Sequence, residues 1–241
     1  MEAFKELVML EQLKFSRREV KDLLLSSLVI GFILHLYLNL RTGNWVLNVL
    51  ISTIIAAPAF VFHEIAHKLV AQRYDCKAEY YFLPQWAVTS VFLSLFGWAM
   101  GVDLIFATVG AVVISTAYEI RIGFRFVSLT MEERGKIALA GPATNLLLLV
   151  LFKSLEPFNS IFGVAAYLNL AIAFFNTLPI PPLDGSKVFS WSVIPWSALF
   201  STELLFLLFM DLIPLEGLVA LSLIIWIILF LWLQKYTKVK L

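Results

Sequence analysis

The chain has 241 residues, of which 61% are hydrophobic and only 15% charged, and its 18 Lys and Arg against 17 Asp and Glu leave a net charge of +1. That mix excludes an ordinary soluble domain, and so small a charge gives no reason to invoke nucleic acid as a partner. The lone Cys76 excludes an internal disulfide and an all-cysteine metal site.

In chain order, Met1 to Lys21 reads as an amphipathic, partly basic lead-in on the membrane surface. It holds no short apolar core before a cleavage site, so no removable signal peptide is expected. Asp22 to Leu40 is a first span, 41–44 a tight turn, and Trp45 to about Ala71 a second apolar run with Pro58 inside it. The chain then turns polar, with Lys77 to Phe82 as a short strand. Val88 to Val109 is apolar but broken by Gly97, Gly101 and Asp103, and Gly110 to Val127 holds strand-like residues. Thr130 and Glu133 have capping-box spacing and open a span over Ile137 to Phe152. Ile161 to Leu178 is another span. Two shorter runs, Ala198 to Leu212 and Leu218 to Leu233, close the chain around a turn at Asp211 to Pro214, before a basic tail at 235–241.

Basic residues orient this layout. Lys5, Lys14, Arg17, Arg18 and Lys21 precede the first span, Arg73 and Lys77 follow the second, and Lys235, Lys238 and Lys240 follow the last. Under the positive-inside rule all three groups are cytoplasmic, and so are both termini. One crossing at Val88 to Val109 would place Arg121, Arg125, Arg134 and Lys136 outside. That run is therefore expected to enter and leave on one side, as a re-entrant hairpin. The expected fold is an all-α polytopic membrane protein of six spans. A small β-sheet is expected beside the helices, and the single membrane-embedded domain extends over 22–234, with 88–127 inserted in its core.

The second run contains His63-Glu64-Ile65-Ala66-His67. On a helix, histidines four apart share one face and hold a metal through imidazole nitrogen, and the glutamate beside them takes a proton from a water that the metal polarises. A catalytic zinc has three protein ligands and one open position. His35 is the only other histidine and sits mid-span among leucines, where a structural role fits better. Asp184 is the stronger third donor. It follows the proline-rich 179–183 at the cytoplasmic end of the Ile161 to Leu178 span, the side on which the histidines also fall. Taken alone, Leu183-Asp184-Gly185 is better read as a plain turn, and it is the motif helix on the same side that favours the ligand.

Three segments in order carry a resemblance to the site-2 protease family of intramembrane zinc metalloproteases. They are His63 to His67, Ala140-Gly141-Pro142-Ala143-Thr144-Asn145, and Phe175-Asn176-Thr177-Leu178 through Pro182-Leu183-Asp184-Gly185, and they span a core of about 57–187. The resemblance implies one Zn2+ per chain, with His63, His67 and Asp184 as ligands and Glu64 as general base. It implies that Asn176 holds substrate or the developing oxyanion, with a polar helix contact as the alternative. For Asn145 and Asn169 the structural reading is favoured. Its substrates would be transmembrane segments of other proteins in the bilayer, presented by strand addition at Lys77 to Phe82 and Thr108 to Ile114. One departure is Asp184-Gly185-Ser186, where many relatives have a second glycine. Neither a PDZ domain nor a nucleotide-binding regulatory domain is expected. The rival classes are a zinc-binding membrane protein without hydrolytic activity, such as a metal transporter or a receptor, and a noncatalytic relative acting as a membrane chaperone. The first would place ionisable groups along several spans; the second would lose Glu64 or a ligand.

Overall fold

Charged residues at the start of the first apolar run are drawn into its helix. The computed structural model describes residues 15–38, 40, 42–102, 105–115, 117–120 and 123–237, and α1 in it spans Arg17–Tyr37. It starts before the expected Asp22 because Ser16 caps it, accepting from the Glu19 amide at 3.1 Å, and because Glu19 finds a buried cation. The lead-in up to residue 14, Asp103, Arg121, Lys238 and Lys240 lie outside the described residues.

The chain forms two compact units, Met1–Glu133 and Arg134–Leu241. In the first, α1 packs along α2, Trp45–Arg73. The Asn44 side chain caps α2 by accepting from the Val46 and Leu47 amides. The closest approach of the two helices is at Gly31, where a Cβ would collide with the Thr53 side chain and backbone. Strand β1, Lys77–Phe82, pairs antiparallel with β2, Gly110–Ser115, with Tyr80 opposite Val112. Between them α3, Pro84–Ala99, runs out and the chain turns back at Gly101, whose φ of +69° suits glycine. The returning chain lies along α3, with Ser90 Oγ donating to the Thr108 carbonyl at 2.6 Å and the Phe106 amide donating to Ser94 Oγ at 3.3 Å. A second two-stranded sheet pairs β3, Ala117–Ile120, with β4, Gly123–Phe126. The strand-like stretch therefore divides between two sheets, where one was expected.

Helix α4, Met131–Leu155, opens with the capping box: Glu133 Oε2 accepts from the Thr130 amide at 2.8 Å, and Thr130 Oγ1 from the Glu133 amide at 3.2 Å. The second unit continues with α5, Ile161–Thr177, α6, Asp184–Trp191, α7, Val193–Phe209, and α8, Leu215–Thr237. Its core gathers Leu149, Ala166, Leu170, Phe206 and Leu218.

Among the described residues, four helices are long and apolar enough to cross a membrane: α1, α2, α4 and α8. Large apolar side chains stand outward on them, including Leu24, Ile54, Leu147 and Ile227, as lipid-facing helices require. Helices α5 and α7 are apolar but have 17 residues each, about 25 Å at 1.5 Å per residue. That falls short of a hydrocarbon core of roughly 30 Å, which is why length alone separates them from the other four.

Candidate metal centre

The inward stripe of α2 is Asn48, Ser52, Ala56, Ala59, Phe60, His63, Glu64, His67, Lys68, Ala71 and Gln72. Its spacing of three and four keeps one helical face turned into the protein, and the histidine motif lies wholly on that face. His63, Glu64 and His67 are 3%, 8% and 6% exposed. Pro58 lies within the helix and removes the donor that would reach the Ile54 carbonyl. The helix nevertheless continues to Arg73.

The two imidazoles meet edge to face, with Nε2 of His67 3.0 Å from Nε2 of His63. Two nitrogens on a tetrahedral zinc, each at about 2.0–2.1 Å, would stand about 3.3 Å apart. The pair fits a single divalent cation with little adjustment.

Asp184 is the first residue of α6 in the second unit. Its side chain is 13% exposed and Oδ1 accepts from Lys187 Nζ at 2.9 Å. Gly185 lies against the end of α5 so closely that a Cβ there would fall on the Thr177 carbonyl. Ser186 fits the first turn of α6 by donating from Oγ to the Leu183 carbonyl at 2.7 Å. Asn176 Nδ2 donates to the Ile172 carbonyl of its own helix at 2.9 Å. Asn145 Nδ2 donates to Asn169 Oδ1 at 2.9 Å, joining α4 to α5, and both side chains are fully buried, as a structural role requires.

The chain is similar over most of its length to a protein of Methanocaldococcus jannaschii named "Putative zinc metalloprotease MJ0611". The two are 38% identical over 193 residues, which cover 76% of this chain and 90% of that one. The chain belongs to this zinc metalloprotease family. No family model matches it, and no solved structure matches it significantly.

Around the histidines of this zinc metalloprotease lies a polar frame that the sequence pattern does not reveal. Lys68, next to His67, donates to both carboxylate oxygens of Glu19 at 2.7 and 2.6 Å, and the two side chains are 3% and 1% exposed. Glu19 Oε1 also accepts from the Tyr80 amide of β1 at 3.1 Å. One carboxylate thus ties α1, the motif helix and the strand together. The Phe15 ring covers the Lys68 ammonium at 4.1 Å. Tyr80 packs edge to face on Phe60 with centroids 5.4 Å apart, and its hydroxyl is 2.7 Å from Ser26 Oγ. Burial first, and then the Glu64 carboxylate, push the Tyr80 phenol above its ordinary range, so it stays neutral.

In the second unit a comparable residue is Glu203, mid-way along α7 and fully buried. The available signal was a carboxylate inside the apolar run Ala198 to Leu212. Glu19 offered no such signal, because it sits among other charges.

Proposed function

We propose that this zinc metalloprotease is an intramembrane endopeptidase of the site-2 protease type, cutting transmembrane segments of other membrane proteins. The observation that carries the proposal is the placement of His63, Glu64 and His67 on the buried stripe of a 29-residue apolar helix. A soluble protease has no use for that setting, since peptide hydrolysis needs water and an extended backbone.

In this reading His63, His67 and Asp184 hold the zinc, two imidazoles and one carboxylate being a donor set suited to it. Bound zinc supplies Lewis-acid polarisation of the water and of the scissile carbonyl. Glu64 takes the proton from the attacking water and returns it to the leaving amine. Asn176 turns its amide from the Ile172 carbonyl toward the developing negative charge, a role worth several kcal/mol where a donor is well aimed. The buried frame of Glu19, Lys68 and Tyr80 holds the motif helix against β1. The Tyr80 and Phe82 amides on the outer edge of β1 already donate to Glu19 and Asp22. An extended substrate is therefore directed to the far edge of β2.

The membrane layout that goes with this reading has six spans, α5 and α7 crossing with modest bilayer thinning, and cytoplasmic termini. The run 88–109 is re-entrant. The hydrogen bonds that hold its returning chain to α3 support that reading, because exposed irregular backbone is costly in lipid.

The test is cleavage of a membrane-spanning substrate by purified protein, beside Glu64→Gln, with zinc measured on both. The expected outcome is cleavage by wild type, a loss of about 10²- to 10⁴-fold or more in the variant, and equal zinc. Equal zinc and no cleavage by either protein across several substrates would favour a noncatalytic zinc-binding membrane protein.

A further inference from the structure

Glu203 is a carboxylate buried at 0% exposure in an apolar helix. Such a group is expensive at membrane depth and usually marks a functional element. Its Oε1 accepts from Thr177 Oγ1 at 2.8 Å, while Oε2 is buried with no hydrogen-bond partner among the described residues. A leucine at this position would be cheaper, so stability does not explain the residue.

What Glu203 touches does. Thr177 is the last residue of α5, where backbone carbonyls lose their intrahelical donors. Its carbonyl accepts from Trp196 Nε1 of α7 at 2.9 Å. That same carbonyl is the surface on which Gly185 rests with no room for a Cβ. Glu203 and Trp196, both on α7, thus hold the side chain and the carbonyl of the residue on which the first turn of α6 sits, and Asp184 is the start of that turn. Aromatic rings extend the grip. Phe189 of α6 meets Trp196 edge to face at 5.0 Å, Trp196 stacks on Phe200 at 5.1 Å, and Phe200 stacks on Phe174 of α5 at 5.7 Å.

We propose that Glu203 and Trp196 form a clamp on Thr177 that sets the position of Asp184, which makes Glu203 a positioning residue for zinc binding. The inference rests on Asp184 being a zinc ligand. Asn176, the residue before Thr177, is held by the same clamp, so the grip reaches both proposed functional groups of the second unit. A hydroxyl–carboxyl bond is short and directional, whereas leucine packing there would tolerate sliding of α5 along α7. That difference is the reason for a costly polar pair.

The test is zinc affinity, measured by competition with a chelator on the full-length protein in detergent, for Thr177→Val, Glu203→Leu, Glu203→Gln and Asp184→Asn. Thermal melting of each zinc-free protein is followed in parallel. Thr177→Val and Glu203→Leu are expected to weaken zinc binding by about 10-fold or more, as loss of outer-shell partners does. Glu203→Gln, which retains an acceptor for Thr177, is expected to stay within about threefold of wild type. Should Thr177→Val and a folded Glu203→Leu bind zinc as wild type does while Asp184→Asn binds weakly, the clamp is overturned and the ligand assignment survives. Lower melting temperatures with unchanged affinity would likewise reduce the pair to a fold contact. Unchanged zinc binding by Asp184→Asn would remove the ligand assignment and the clamp with it.

Discussion

The two units bury their polar groups in opposite ways. The first uses full charges: Glu19 and Lys68 meet in a bidentate ion pair, with the Tyr80 amide as a third donor to the same carboxylate. The second uses amide and hydroxyl donors, through Asn145 with Asn169 and Thr177 with Glu203. The difference follows from where the groups sit. Glu19 and Lys68 lie near the ends of α1 and α2, where one fixed corner must hold two helices and a strand. Asn145 and Asn169 lie within helices that they join, where one directional bond is enough to set register, and Thr177 at the end of α5 takes a single hydroxyl bond to Glu203. An ion pair leaves a bare charge when one partner is lost, whereas an amide pair leaves only an unmet hydrogen bond.

That contrast is open to measurement. Lys68→Met strands the Glu19 carboxylate, and its cost in thermal or denaturant unfolding should be about 3–5 kcal/mol. Adding Glu19→Leu should recover most of it, and a double variant as unstable as the single would show that the frame is not electrostatic. Asn145→Leu, by contrast, should cost only about 0.6 kcal/mol and at most about 1.7 kcal/mol. An effect as large as that of Lys68→Met would erase the distinction between the units. The smallest effect belongs to Lys187→Met. The pair it makes with Asp184 is half exposed on the lysine side, and such pairs contribute about 0–1 kcal/mol. If Asp184 is a ligand, removing this competing cation should leave zinc affinity unchanged or slightly raised in the chelator assay, and a fall in affinity would count against the assignment.

Much of the first unit was legible because its signals are local. Four-residue spacing places His63 and His67 on one helical face, and the polar segment Lys77 to Phe82 reads directly as a strand. The capping box at Thr130 and Glu133 forms as its spacing implies. What escaped depends on partners far apart in the chain. Arg17 to Lys21 read as part of a surface lead-in because the segment is amphipathic and charged, yet Glu19 pairs with Lys68, 49 residues away, and the helix begins early. Glu203 stands beside leucines in the sequence, and its significance rests on Thr177 at the end of another helix.

Composition and helical period alone determined that this is a helix-rich chain suited to a membrane, with a two-histidine metal face on its second long helix. Both properties come from side-chain polarity and from a 3.6-residue repeat, which any stretch of sequence displays without its neighbours. Tertiary structure alone decided how the buried charges are neutralised, which edge of β1 is already taken, and how tightly the Asp184 turn is seated on α5. Those outcomes depend on distances between atoms from separate elements, and hydrogen bonds and ion pairs weaken steeply once such distances grow by an ångström or two.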